Sequence, residues 1–261
     1  GVEELVMAGG IKRPGLKDLR PDLWVTKFFA ASGAASLGDD GLLTALIKAL
    51  EGEGFRVIGV DQVLPDIVAP VGVYGAVVPG ENAQVDINTA RQAALSIGAK
   101  DKGQGAIAYQ AKVLSVEDED GTDVMIRRLP KLRNSEKGGV LVKVCKPGQE
   151  TRADLPTIGV STIEVAAMAG LEGIAVQAGK ALVVDMKAVV SAADQHGLFV
   201  VGIEADAPLI YIIAGEASGD LLGARVMVRL KEKNADVRFV GIGGAKMTEQ
   251  GLVSLFPMEE V

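Results

Sequence analysis

The chain has 261 residues, 48% of them hydrophobic and 4% aromatic, with 33 glycines and a net charge of −7. One cysteine, Cys145, excludes an intrachain disulfide and a cysteine-based zinc site, and one histidine, His196, excludes a multi-histidine metal centre. The acidic balance argues against a general nucleic-acid binder, and no apolar run reaches the ~18 residues that span a bilayer.

The chain opens at Gly1, not Met, in "GVEELVMAGG", which reads as a helix end and a strand, so an N-terminal piece is expected to precede it. No signal peptide is evident, which points to the cytoplasm. Residues 1–70 then alternate in the α/β manner. A helical stretch holds Trp24, Phe28 and Phe29, helix "GLLTALIKALEGEG" follows, and strand "FRVIGV" closes the segment. Asp39 or Asp40 is positioned to cap that helix, and Gly52 with Gly54 to stop it. "LPDIVAPVGVYGAVVPG" has no lasting period, so residues 71–80 read as a linker.

Residues 81–204 read as a second α/β domain. Helix "NAQVDINTARQAALSIGA" precedes strands "GAIAYQ" and "KVLSVE", which suit a hairpin. The acidic "EDEDGTD" opens a helix with a possible break at Pro130, and strand "GGVLVKVCK" runs into the loop "PGQETRADLPTIG". Ser161 and Glu164 have the spacing of a capping box. Strands "GIAVQAG" and "ALVVD", helix "MKAVVSAADQHG" and strand "LFVVGI" complete the segment. His196 precedes Gly197 at the expected helix end, where a cation suits the dipole. From about 205 to 261 comes a single βαβ unit, "LIYIIAG", "LLGARVMVRLKEK" and "VRFVGIGG", too small to bury both faces of a sheet.

Chemistry has a few places to sit. Asp154 follows a buried strand and precedes a helix, where α/β folds hold ligands, although an Asp before Pro also serves as a turn or cap residue. Carboxylates gathered there with "VEDEDGTD" could hold Mg²⁺ or Mn²⁺ against a diphosphate, while the same acidic run reads equally as a solvated turn. Gly9 and Gly10, with Lys12 and Arg13 nearby, suit an anion or a solvated basic turn. "GEASGD" is neither a dinucleotide fingerprint nor a Walker loop. It still allows close backbone approach at Gly215 and Gly219, with Ser218 or Asp220 as a helix cap.

From "GVEELVMAGGIKRPGLKDLRPD" through "LGDDGLL", "EGEGFRVIG", "LVKVCKPGQETRADLPTIG", "GLEGIAVQAGKALVVD" and "ADQHGLFVVGI", the chain resembles the LpxI family over residues 1–204. The resemblance implies a partial N-terminal α/β domain and a C-terminal α/β catalytic domain, without the glycine-rich strand–turn–helix that opens family members. It implies Mg²⁺-dependent hydrolysis of the UDP-2,3-diacylglucosamine diphosphate to UMP and lipid X, on the path to lipid A. Asp154 then becomes the catalytic candidate. Asp154, Glu117 and Asp123 become the metal candidates, and Gly9, Gly10, Lys143, Thr157 and Gly159 the substrate-binding ones. Where the family shows Glu-Gly-Thr-Asp, this chain has Asp120-Gly121-Thr122-Asp123.

Residues 207–261 resemble the N-terminus of lipid-A-disaccharide synthase, LpxB, a GT-B glycosyltransferase, through "IYIIAGEASGDLLGARVM", "FVGIGGAKM" and "LFPMEE". Gly215, Glu216, Ser218, Gly219 and Asp220 carry over as motif residues. A glycosyltransferase fragment or fusion, or an inactive truncated chain, are the alternative readings. Peripheral contact with the inner membrane leaflet and a homo-oligomer are compatible with this reading; a nucleic-acid partner is not expected.

Overall fold

Valine- and isoleucine-rich runs separated by glycine turns do produce alternating strands and helices in the computed structural model, which describes residues 1–9, 28, 39–132, 138–205, 208–233 and 237–258. The chain divides into two compact units, Gly1–Glu204 and Ala205–Val261. Gly10, Lys12, Arg13 and the predicted helical stretch around Trp24 and Phe29 lie outside the described residues.

In the first unit, β1 (Glu4–Val6) pairs in parallel with β2 (Arg56–Ile58), and α1 (Asp39–Gly52) joins the same region. Asp40 lies within the first turn of α1, not ahead of it, so it does not cap the helix as expected. Its carboxylate reaches away to the N–H of Glu150 instead, at 2.9 Å. A short α2 (Val60–Val63) and a 3-10 turn over Pro65–Ile67 lead into the larger sheet.

That sheet is built from β3 (Gly72–Val73), β4 (Gly105–Tyr109), β5 (Lys112–Val116), β6 (Val140–Lys143), β8 (Gly173–Gln177) and β10 (Phe199–Ile203), in the order β3-β10-β8-β6-β4-β5. Strands β6, β8 and β10 are mutually parallel, while β3, and β4 with β5, pair antiparallel at the two sides. The remaining elements are α3 (Glu81–Gly98), α4 (Thr122–Leu132), α5 (Val160–Met168), α6 (Met186–His196) and the small parallel pair β7 (Thr157–Ile158) with β9 (Leu182–Val183).

Strand alternation decides the layers. One face sends Ile107, Leu141, Ile174 and Val200 into a core with α4, α5 and α6 side chains such as Ile126, Leu129, Ile163 and Val189. The other face sends Ala106, Ala108, Val140, Val142 and Ala175 against Ala83, Ile87, Ala90 and Ala94 of α3. Small residues on both sides of that second interface let α3 lie close to the sheet.

Several expectations are corrected. The stretch read as a linker contributes the edge strand β3, and Tyr74 N–H continues the pairing to Val200 at 3.0 Å. Two residues are too few to show alternation in a sequence. Gly202 makes the approach possible, because a Cβ there would overlap the Pro70 carbonyl and the Tyr74 hydroxyl. Helix α4 is not interrupted at Pro130 and continues to Leu132. No Ser161–Glu164 capping box forms: Gly159 is the N-cap, and the Thr162 hydroxyl accepts its N–H at 3.3 Å. The hairpin does form, through a two-residue turn in which Gln110 and Ala111 both have positive φ (51° and 59°). The buried Asp86 carboxylate on α3 holds it, accepting Gln110 N–H at 3.1 Å and Ala111 N–H at 2.7 Å. His196 ends α6 ahead of the left-handed Gly197, as its position suggested.

The second unit exceeds one βαβ. Strands β11 (Leu209–Ile213), β12 (Arg238–Ile242) and β13 (Leu252–Ser254) form a parallel sheet in that order, with α7 (Ala217–Lys233) and α8 (Ala245–Glu249) between them. Ala224, Met227, Phe239, Met247 and Leu252 form its core. Leu209, Tyr211 and Ile213 on one face of β11 stay exposed, as does Val253 on β13.

Candidate active site

Three parallel strands ending together place their last residues side by side. Lys143 closes β6 in register with Val176 of β8, and Gln177 closes β8 in register with Ile203 of β10. The antiparallel β4 starts at the same end, with Gly105 opposite Lys143, and β5 delivers Glu117 there. Such carboxyl ends, uncovered by their own helices, are where α/β sheets hold ligands.

Beyond β6 the chain stays tied to its neighbours. Val144 N–H donates to Gln104 O and Cys145 N–H to the Gln177 side-chain oxygen, both at 2.9 Å. Burial pushes the Cys145 thiol pKa up, which keeps it protonated. The loop then folds into two consecutive turns. Gln149 N–H reaches Lys146 O at 3.1 Å, and the N–H groups of Ala153 and Asp154 share Glu150 O at 3.0 and 3.1 Å. Leu155 is buried after them and anchors the run into β7. Asp154 is therefore held at the strand ends by backbone bonds on one side and a buried apolar residue on the other.

The acidic run divides into two parts. Glu117 turns inward and is 8% exposed; its Oε2 accepts Gln104 N–H at 2.9 Å and its Oε1 accepts the Thr122 hydroxyl. Gly103 leaves room for it, since a Cβ there would meet Glu117 O at 2.7 Å. Asp118 and Asp120 face outward and grip Arg128, which holds the Asp118 carboxyl below its usual range. Asp123, in the first turn of α4, is half exposed and lies 3.9 Å from Arg127. Asp154 Oδ2 accepts the Gln149 Nε2–H at 2.7 Å, and Oδ1 has no protein donor among the described residues.

Lys143 sits among these acids and is 7% exposed. Burial lowers its pKa, and the nearby Glu117, Asp154 and Asp123 charges oppose that shift in that order. Its ammonium has one long hydrogen bond, to Thr157 O at 3.4 Å. The structure thus brings Glu117, Asp123, Asp154 and Lys143 into one neighbourhood. Among the described residues, however, no three Asp, Glu, His or Cys side chains form a ready-made metal cage. The donor set still fits a hard cation. Mg²⁺ commonly takes one or two carboxylates and completes its shell with water and substrate phosphate.

The remaining candidates are placed as follows. Thr157 is exposed, with its hydroxyl bonded to Leu155 O at 2.9 Å, and Gly159 caps α5. Gly9 follows β1 with a φ of 97°. Sequence reasoning missed Gln104, Gln149 and Gln177, which carry no charge pattern to mark them. It also missed the clasp beside Asp154. Arg152 pairs with both oxygens of Glu150 (2.9 and 2.7 Å) and with Glu51 of α1 (2.6 Å), next to the Asp40–Glu150 bond. The clasp fastens α1 to the loop that presents Asp154.

In the second unit, Ser218 and Asp220 lie inside α7 and do not cap it as expected. Ser218 bonds Glu216; Gly215 lies in the turn after β11, while Gly219 lies inside α7, where a Cβ would meet Ala214 at 3.4 Å. Asp220, 5% exposed, reaches across to the "GIGGAKM" turn.

Comparison with known proteins matches three family domains along the chain. The LpxI N-terminal domain matches residues 1–67, the LpxI C-terminal domain residues 70–201, and lipid-A-disaccharide synthetase residues 210–261. The UDP-2,3-diacylglucosamine pyrophosphatase LpxI of Caulobacter vibrioides is 44% identical over 211 residues, 78% of this chain and 75% of that protein. Lipid-A-disaccharide synthases of Alcanivorax borkumensis and Granulibacter bethesdensis are 55% and 60% identical over 56 and 55 residues. The match spans only 15% and 14% of those two synthases. With both LpxI domains matched in order along residues 1–201, the chain belongs to the LpxI family, a family of lipid A biosynthesis enzymes.

Proposed function

We propose that the chain hydrolyses the diphosphate of UDP-2,3-diacylglucosamine, giving UMP and 2,3-diacylglucosamine 1-phosphate (lipid X). The observation that carries this is Asp154, fixed at the carboxyl ends of the parallel strands with one oxygen free, beside a buried Lys143. The reaction the C. vibrioides relative is named for supports it. Mg²⁺, or Mn²⁺, would be held by Asp154 and Asp123, and when bound it would neutralise phosphate charge and polarise a water. Glu117 is better suited to shaping the site than to ligating, since both its oxygens already accept hydrogen bonds. The Lys143 ammonium offsets the surrounding carboxylates, so a diphosphate can approach an otherwise acidic floor. Asp154 orients the attacking water; the water oxygen bonds to phosphorus as the bond from that phosphorus to the bridging oxygen breaks. One water proton stays on the new phosphate and the other passes to the leaving phosphate oxygen, so UMP and lipid X both leave as monophosphates.

UMP release from UDP-2,3-diacylglucosamine with Mg²⁺ tests the reading. Asp154→Ala is expected to lower kcat at least ~100-fold. Equal rates in the two proteins would remove Asp154 from the mechanism.

No helix among the described residues is long and apolar enough to cross a membrane. We place the enzyme in the cytoplasm, meeting its acylated substrate at the inner leaflet. The second unit supports a further reading, a segment of a disaccharide synthase. There Asp220 is bound to backbone N–H groups, and the expected outcome with lipid X and the UDP-sugar is no disaccharide.

A further inference from the structure

Gln149 lies 8% exposed at the turn before Asp154, and every polar hydrogen and the oxygen of its amide have partners. Nε2 donates to Asp154 Oδ2 at 2.7 Å and to Gln104 Oε1 at 3.2 Å, while Oε1 accepts Lys146 N–H at 2.8 Å. The amide can stand only one way round. Turned over, its oxygen would face two acceptors and its NH₂ would face a donor. Gln104 extends the chain, since its own backbone N–H holds Glu117 Oε2 at 2.9 Å. One hydrogen-bonded path thus runs from Asp154 through two glutamines to Glu117 and on to Thr122.

We propose that Gln149 is the positioning residue of the site: it fixes the Asp154 carboxylate so that Oδ1 faces the substrate, and locks it to Glu117. This rests on Asp154 acting in the hydrolysis. The half-buried Asp154 carboxylate has this one side-chain donor among the described residues, and without it the carboxylate can turn about its χ angles. Outer partners that orient site groups typically contribute 10–100-fold to activity or metal affinity.

Two variants and two readouts test it. Gln149→Glu keeps the shape and the Lys146 acceptor but sets a carboxylate against Asp154 Oδ2 and Gln104 Oε1. Gln149→Met keeps the bulk and removes every side-chain hydrogen bond. Both are expected to lower kcat about 10–100-fold with KM little changed. In a crystal structure of Gln149→Met, the Asp154 carboxylate is expected to leave its wild-type position. Wild-type kcat in Gln149→Glu, or an unmoved Asp154 in the Gln149→Met crystals, overturns the inference. A space-filling role predicts the first of these outcomes, because the Gln→Glu change is isosteric. If neither variant folds, Gln104→Leu, which frees one amide hydrogen of Gln149, carries the test, and an unchanged kcat there overturns it. Should Asp154→Ala prove as active as wild type, the role of Asp154 in the hydrolysis fails by itself, and the crystal structures still decide whether Gln149 positions Asp154.

Discussion

Replacing Asp220 with alanine removes one carboxylate and three hydrogen bonds. Oδ1 accepts from Gly244 at 2.9 Å and Met247 at 3.0 Å, and Oδ2 from Lys246 at 2.9 Å. These are the N-cap and first-turn N–H groups of α8, and Gly244 has no side chain with which to cap the helix itself. A lost helix cap costs about 1 kcal/mol, and bonds to a charged acceptor are worth about 1.5–3 each. Allowing for water at part of the exposed helix end, the loss should be about 3 kcal/mol. A unit of this size has roughly 3–8 kcal/mol in total. Hydrogen–deuterium exchange on the full chain reads this directly, with peptides of the first unit as internal reference. Protection across β12 and α8 is expected to fall about 100-fold. Asp220→Asn, which keeps one acceptor oxygen, should lose less. Unchanged protection in Asp220→Ala would refute the assignment of Asp220 to the α8 cap and return it to the candidates for ligand contact.

Two further outcomes follow from the first unit. Ala111→Gly should stabilise the fold by about 1 kcal/mol by relieving a left-handed residue, while Asp86→Ala should cost about 2–3 kcal/mol by orphaning the same turn; denaturant titration measures both. Arg152 holds Glu150 below the usual glutamate range, so the pair stabilises the native state above about pH 4.3 and loses that contribution as pH falls through the lowered value. Arg152→Met should cost about 1 kcal/mol at neutral pH, and melting curves of the two proteins should converge in acid; a constant gap would contradict the pairing.

The long elements were legible because their signals are local. Val140–Lys143 and Phe199–Ile203 are short runs dominated by apolar residues, and Gly197 stops α6 where a glycine should. The loop of Asp154 was legible for the same reason, as a carboxylate between a buried strand and a helix. What escaped were features whose partners are distant in sequence. Strand β3 is defined only by β10, and Asp86 looks like an ordinary surface acid of α3 until the hairpin lies beside it. Asp40 and Asp220 sat near helix starts and read as caps, yet each is bonded to a loop far along the chain. Gln149 carries neither charge nor periodicity, so only its neighbours reveal it.

The alanine-lined seam between α3 and the sheet has a consequence for how this protein can vary. On the opposite face, Leu, Ile, Val and Met occupy a layer in which one aliphatic residue can be exchanged for another at modest cost. Against α3, any residue larger than Ala90 or Ala94 must lift the whole helix, and Asp86 with it. The two layers should therefore drift at different speeds among descendants of this chain: one by exchange of volume between neighbours, the other hardly at all, with the hairpin that delivers Glu117 carried on the slower of the two.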